Sequence, residues 1–385
     1  MAAARGSRVT AHGKVARLSS DREAVKAAFL GDVGLADARR IALAGDASTR
    51  RYERLHPPEG PSLIFMDQPP SVESQPCPPD ATPAERIAAG YNACARLAAG
   101  RIEAFAASAG YLRARGLSAP RIVDCDPALG LAVLEDLGDD LYARLIEQGA
   151  DEATLYAAAV DALIALHAEP PPELLEAGGL SWPLLAYDGL ALKTGSDLFL
   201  EWWPKFSGIP PFTTDATDEW ESLWAPVRAR GEAMALGPGG VFAHRDYHAE
   251  NLIWLPDRAG VARVGMLDFQ DALRAHPAWD LLSLLQDARR DVEPALEAAM
   301  LERYLAARPD LERQAFLLDY RSLAALNAGR ILGPIFARQV VAFGRPRYKA
   351  FMPRTWRYLE RDLAAPGLEG LQRWFERNVP HEARA

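Results

Sequence analysis

Residues 244–251 read HRDYHAEN, and residues 268–272 read DFQDA. Between them lie Leu252–Pro256 and Val261–Leu267, short apolar runs with the length and side-chain types of strands. If the two runs pair as a hairpin, Asn251 at one end meets Asp268 at the other, and Asp246 sits in the loop ahead of both. Taken singly, Asp, Asn and His are ordinary turn residues. Taken together, H-R-D-x-x-x-x-N followed by a β run and D-F has the order and spacing of a phosphoryl-transfer site. One carboxylate takes the proton of an attacking hydroxyl, while a second carboxylate and an amide oxygen suit Mg²⁺, a hard cation that fills its shell with phosphate and water. A zinc site on His244 and His248 is the competing reading. It lacks the Glu of H-E-x-x-H, whose place Arg245 takes, and the helix that motif needs. The expectation is therefore that Asp246 is the base and that Asn251 and Asp268 hold the metal. His244 then anchors the loop from beneath and His248 bonds its backbone.

Around this stretch the chain reads as two lobes. The 385 residues exceed one typical core, and 49% apolar with 25% charged residues is the mixture of a soluble globular protein. A net charge of −9 argues against a partner that must be neutralised, such as nucleic acid. No apolar run reaches membrane-spanning length. Three scattered cysteines make neither a disulfide framework nor a C-x-x-C site, so a reducing cytoplasm is expected. A monomer is expected as well. Residues 1–20, basic and without acids, read as a disordered tail. Short strand-like runs begin at Ile41, followed by a proline-rich insertion at 69–83, Ala-rich helices to Gly116, and two further strands to Gly138. From there to the C-terminus helical spacing dominates, interrupted at 241–268. The predicted fold is α+β and bilobal: an antiparallel-sheet N-lobe over 21–137 and a larger, mainly helical C-lobe over 138–385.

A phosphate-binding element belongs in the small lobe, and no Walker-type G-x-x-x-x-G-K-[ST] is present. The turn GDASTRRY is the candidate, with Gly45, Ser48, Thr49 and Arg51 as donors, although a plain hairpin turn would look the same.

These stretches, with LAGDASTRRYERL, LIFMDQPP, LAVLEDLGDDLY and LDFQDALRAHPAWDLLSLLQDARRDV, resemble the aminoglycoside phosphotransferase and choline kinase-like family of small-molecule kinases. Within it they are most similar to the bacterial kinases of N-acetylmuramate and N-acetylglucosamine. The resemblance spans about residues 41–361. It implies a protein-kinase-like fold, ATP and Mg²⁺ as cofactors, and a small sugar as partner, phosphorylated at its anomeric hydroxyl in cell-wall recycling. It also implies a hinge at LEDL, where backbone groups of Glu135 and Leu137 meet adenine, and a brace for the catalytic loop at Asp280.

Departures from the kinase pattern accompany the matches. SLIFMD carries no counterpart of the strand lysine that pairs with phosphates, leaving Arg50, Arg51 or the metal to supply that charge. Gln270 replaces the Gly of D-F-G, removing backbone freedom suited to a regulatory switch. The acceptor pocket should line the helical lobe, where Tyr187, Asp188, Glu201, Arg330 and Arg338 are candidates. Either arginine suits the lactyl carboxylate of muramate. The aromatics of EWWPKF read more readily as helix packing, and His167 as a satisfied core histidine. Two alternatives stay open on the sequence: another acceptor such as choline, homoserine or an aminoglycoside, and a non-catalytic nucleotide-binding module.

Overall fold

The computed structural model describes residues 11–43, 50–69 and 76–384. They form two compact units, one from the described residues of 1–70, 100–102 and 121–136, the other from those of 71–99, 103–120 and 137–385.

The first unit is built on five antiparallel strands: β1 (Arg39–Ala42), β2 (Arg51–His56), β3 (Leu63–Asp67), β4 (Ile122–Asp126) and β5 (Leu131–Glu135). Their order in the sheet is β1-β2-β3-β5-β4. Alternation along each strand sends Leu55, Phe65, Leu131 and Val133 to one face, where they pack against Phe29 and Leu30. Those two residues belong to helix α1 (Ala11–Asp32), so the boundary expected at residue 20 falls inside a helix. Burial of Phe29 and Leu30 holds that helix to the sheet, with the Phe29 and Phe65 rings 6.1 Å apart.

The charges of this unit lie the other way round from a kinase pattern with its cation on the strand. Here the strand carries the acid, Asp67, and the helix carries the cations. Arg22 Nη2 lies 2.6 Å from Asp67 and Lys26 Nζ 3.9 Å. Lys26 also reaches Glu53, which Arg40 holds at 2.5 Å. Arg40, followed by Lys26, keeps the Glu53 carboxyl down at about 2 against the cost of burial.

The second unit is mainly helical. Its segments 76–99 and 103–120 were expected in the N-lobe, and the first carries an ion pair to the helical unit. The helix Pro83–Ala89 opens with a capping box, Thr82 with Glu85. It presents Arg86, whose guanidinium grips Asp188 at 2.5 and 3.0 Å. The hairpin inferred from the apolar runs forms as Leu252–Trp254 with Val264–Met266, Met266 opposite Leu252. Val241–Ala243 pairs with Leu273–Ala275, and Leu174–Ala177 with Leu180–Pro183. Of EWWPKF, Trp203 is fully buried and packs with Phe199 and Trp356, as helix-packing aromatics do. His167 is buried with Nδ1 2.8 Å from the Tyr304 hydroxyl. Among the described residues no helix is long and apolar enough to cross a membrane.

Candidate active site

The loop after Val241–Ala243 is fixed by its backbone. Asp280, buried near the start of the helix Ala278–Leu285, accepts from the amides of His244 (2.7 Å) and Arg245 (2.9 Å). Trp279 Nε1 donates to the Arg245 carbonyl at 3.2 Å. Between these clamps Arg245 adopts φ +80°, a strained conformation for a side-chain-bearing residue. Asp280 thus holds two consecutive amides of the loop. Burial pushes its carboxyl up to about 7, against the two amides that favour the charged form.

His244 is buried beneath the loop, its ring edge-on to Tyr247 and Phe269. Burial pushes the imidazole down to about 4, so it is neutral at neutral pH. The Tyr247 hydroxyl donates to the Ala159 carbonyl at 2.9 Å. Asp246 stands apart in this buried setting, with 37% of its side chain exposed.

Asn251 donates Nδ2 to the Asp246 carbonyl at 2.9 Å and lies 3.4 Å from His248 Nε2. Arg289 Nη1 is 3.2 Å from the same ring nitrogen. Arginine can only donate, so Nε2 is an acceptor and the Asn251 nitrogen is committed to the loop. That leaves the amide oxygen as the atom able to meet a cation. His248 thus bonds the Asn251 and Arg289 side chains rather than loop backbone. Across the hairpin, Leu267 N donates to the Asn251 carbonyl at 2.9 Å, which brings Asp268 beside Asn251. Asp268 sits at φ +63°, and Gln270 Nε2 donates to its Oδ1 at 3.1 Å.

The donor set is one carboxylate and one amide oxygen. Among the described residues no group of three or more His, Cys, Asp or Glu is placed to hold a metal unaided. Two hard oxygens fit Mg²⁺, which accepts such partial cages when phosphate completes the shell.

Of the five acceptor candidates, Arg330 is the one that lies against Asp246, Nη2 to Oδ1 at 3.6 Å. Tyr187 is buried against Trp279, with the Arg245 guanidinium 5.2 Å from its ring centre, so it presents no face to a sugar. Asp188 is spoken for by Arg86, Arg96 and the Ala191 amide that it caps. Glu201 pairs with Lys205 at 2.6 Å, and exposed Arg338 lies 5.8 Å from the Trp202 ring centre.

Of the nucleotide candidates, Gly45, Ser48 and Thr49 lie outside the described residues. Arg51 opens β2 opposite Asp67, and Glu135 ends β5. Leu137 begins the next stretch of the second unit. Arg289 went unread in the sequence, its one available signal being its place in the DARRDV run.

A sheet-based unit, a helical unit, and the Asp246–Asn251–Asp268 constellation on a hairpin define a kinase-like phosphotransferase. A model of the phosphotransferase enzyme family matches residues 40–317, and the chain belongs to that family. It is 64% identical to an N-acetylmuramate/N-acetylglucosamine kinase of Caulobacter vibrioides, over 95% of this chain and 99% of that one. It is 31% identical to a kinase of the same name from Pseudomonas aeruginosa, over 85% of this chain and 84% of that one. A choline kinase of Streptococcus pneumoniae superposes with a TM-score of 0.48 at 13% identity, covering 83% of this chain and 94% of that one.

Proposed function

We propose that this chain phosphorylates the anomeric hydroxyl of N-acetylmuramate or N-acetylglucosamine, using ATP and Mg²⁺ and releasing the sugar 1-phosphate and ADP. The observation that carries the reading is the half-exposed Asp246 carboxylate on a clamped loop, beside two hard oxygen ligands. In support, relatives named as kinases of these two sugars match 95% and 85% of the chain. The sugar's hydroxyl donates its proton to Asp246 as its oxygen bonds to the γ-phosphorus and the bond to the ADP oxygen breaks. Asn251 and Asp268 would hold Mg²⁺, whose charge offsets that of the phosphates. With Arg330 turned to Asp246, exposed Arg338 beside Trp202 is the cation we assign to an incoming carboxylate. Gly45, Ser48 and Thr49, with Arg51, would meet the phosphates, and the backbone of Glu135 and Leu137 would meet adenine. Such an enzyme serves the cytoplasm, where ATP is, returning cell-wall amino sugars to precursors.

Asp246→Asn tests the assignment of the base. Turnover should fall about 10²–10⁴-fold, the usual worth of a positioned base, while calorimetry finds ATP binding close to wild type. Retained turnover would remove Asp246 from the mechanism.

A further inference from the structure

Arg330 was read from the sequence as a cation for the acceptor's carboxylate, yet its guanidinium is turned toward the base. We infer that Arg330 is a positioning residue: it holds the Asp246 carboxylate in the orientation that receives the hydroxyl proton, and does so for charged and uncharged sugars alike. This rests on the sugar kinase reading above.

Three features carry the inference. The first is the contact itself. At 3.6 Å the Arg330 Nη2–Asp246 Oδ1 pair is within ion-pair range but longer than a hydrogen bond, so it orients the carboxylate without consuming the lone pairs a hydroxyl needs. Among the described residues Arg330 supplies the ion pair of Asp246. The base would otherwise be a half-exposed side chain on a loop whose clamps act on its backbone. The second is the confinement of Arg330. Its side chain is 12% exposed, and its Nη1 lies 3.4 Å from Asn327 Oδ1, one turn back on the same helix. A guanidinium so enclosed and already opposite a carboxylate is a poor reader of a second one.

The third feature is the way the helices are shaped to let it through. Arg330 ends the helix Arg313–Arg330 and leads into the π-helical turn Ile331–Ala337. Such turns change the pitch and re-aim side chains. The neighbouring helix Gly189–Ser207 comes close on both sides of this junction. A Cβ on Gly333 would lie 2.5 Å from Phe199 Cα, and a Cβ on Gly195 would lie 3.1 Å from Arg330 Cδ. Glycine at 195 is therefore the space through which the Arg330 stem reaches Asp246.

The test measures steady-state kinetics with both sugars on three variants. Arg330→Ala should lower kcat about 10²-fold with each sugar, the cost of a misplaced group, and leave each KM within about threefold. Added guanidinium ion should recover about tenfold of that loss by filling the vacated space, whereas Arg330→Lys should recover less, having a point charge on a different stem. Gly195→Ala keeps every charged group and removes a helix-weakening glycine. It should lower kcat several-fold while the melting temperature holds or rises, which a merely structural role would not produce. If Arg330→Ala does not fold, Gly195→Ala alone decides. A loss confined to N-acetylmuramate and expressed in KM would overturn the inference in favour of carboxylate reading. Unchanged kcat in Gly195→Ala, or equal kcat in wild type and Arg330→Ala, would overturn it outright. Wild-type inactivity on both sugars would instead sink the substrate reading.

Discussion

At the scale of single residues, this site works by denying its groups alternatives. Asn251 has its nitrogen tied down, so its oxygen faces outward, and Asp280 spends both oxygens on the loop's amides. Asp280→Ala should leave those two buried amides unsatisfied, lowering stability by about 1–3 kcal/mol and releasing Arg245 from its strained φ. A combined unfolding and kcat measurement that finds neither effect would remove Asp280 as the brace. Buried histidine gives a separate, pH-dependent effect. Burial, then the charge of Arg308, pushes His167 down to about 3, against about 6.5 for a free imidazole. A depressed folded-state value means that this stability is complete above about pH 6.5 and is lost as pH falls towards 3. Between pH 7 and 4.5, wild type should therefore lose roughly 2 kcal/mol more stability than His167→Asn in denaturant unfolding. Parallel losses would refute it.

At the scale of elements, legibility followed the range of the interactions. The hairpin that joins Asn251 to Asp268 was readable because both its strands and its end residues lie in one short span. EWWPKF reads more readily as helix packing than as a sugar platform, and Trp203 packs with Phe199 and Trp356. Helix α1 was missed since its first half is basic and Ala-rich, and its apolar contacts, Phe29 and Leu30, meet strands far along the chain. Tyr187 and Asp188 were misplaced for the same reason: nothing local announces that Trp279 covers the first or that Arg86 claims the second. A third distant association holds the helical unit together. Glu297, buried, accepts from the Tyr320 hydroxyl at 2.9 Å and pairs with Arg321 at 3.0 Å and Arg361 at 2.7 Å. It thereby ties Pro294–Ala306 to Arg313–Arg330 and Met352–Leu363. Glu297→Ala leaves the buried Tyr320 hydroxyl without its acceptor and both arginines with Asp362 alone, and should cost about 1–3 kcal/mol. A melting temperature within a degree or so of wild type would show the network to be dispensable.

At the scale of the whole molecule, the fold puts Asp246, Asn251, Asp268 and Arg330 in one compact unit. In a chain of net negative charge, three arginines stand in or near this region: Arg289 beside His248, Arg330 beside Asp246 and Arg338 on the surface. The strand lysine of the kinase pattern is absent, and in its place the sheet unit holds the reversed pair of Asp67 with Arg22 and Lys26. Family membership narrows the chemistry to phosphoryl transfer, and the acceptor is what remains to be tested. The most direct measurement is phosphorus NMR of the purified chain with ATP, Mg²⁺ and each amino sugar in turn, beside choline, homoserine and an aminoglycoside. The account predicts a new acid-labile resonance of a sugar 1-phosphate with one or both amino sugars and none with the other acceptors. Turnover of an amine-bearing acceptor, with neither amino sugar phosphorylated at its anomeric oxygen, would contradict it.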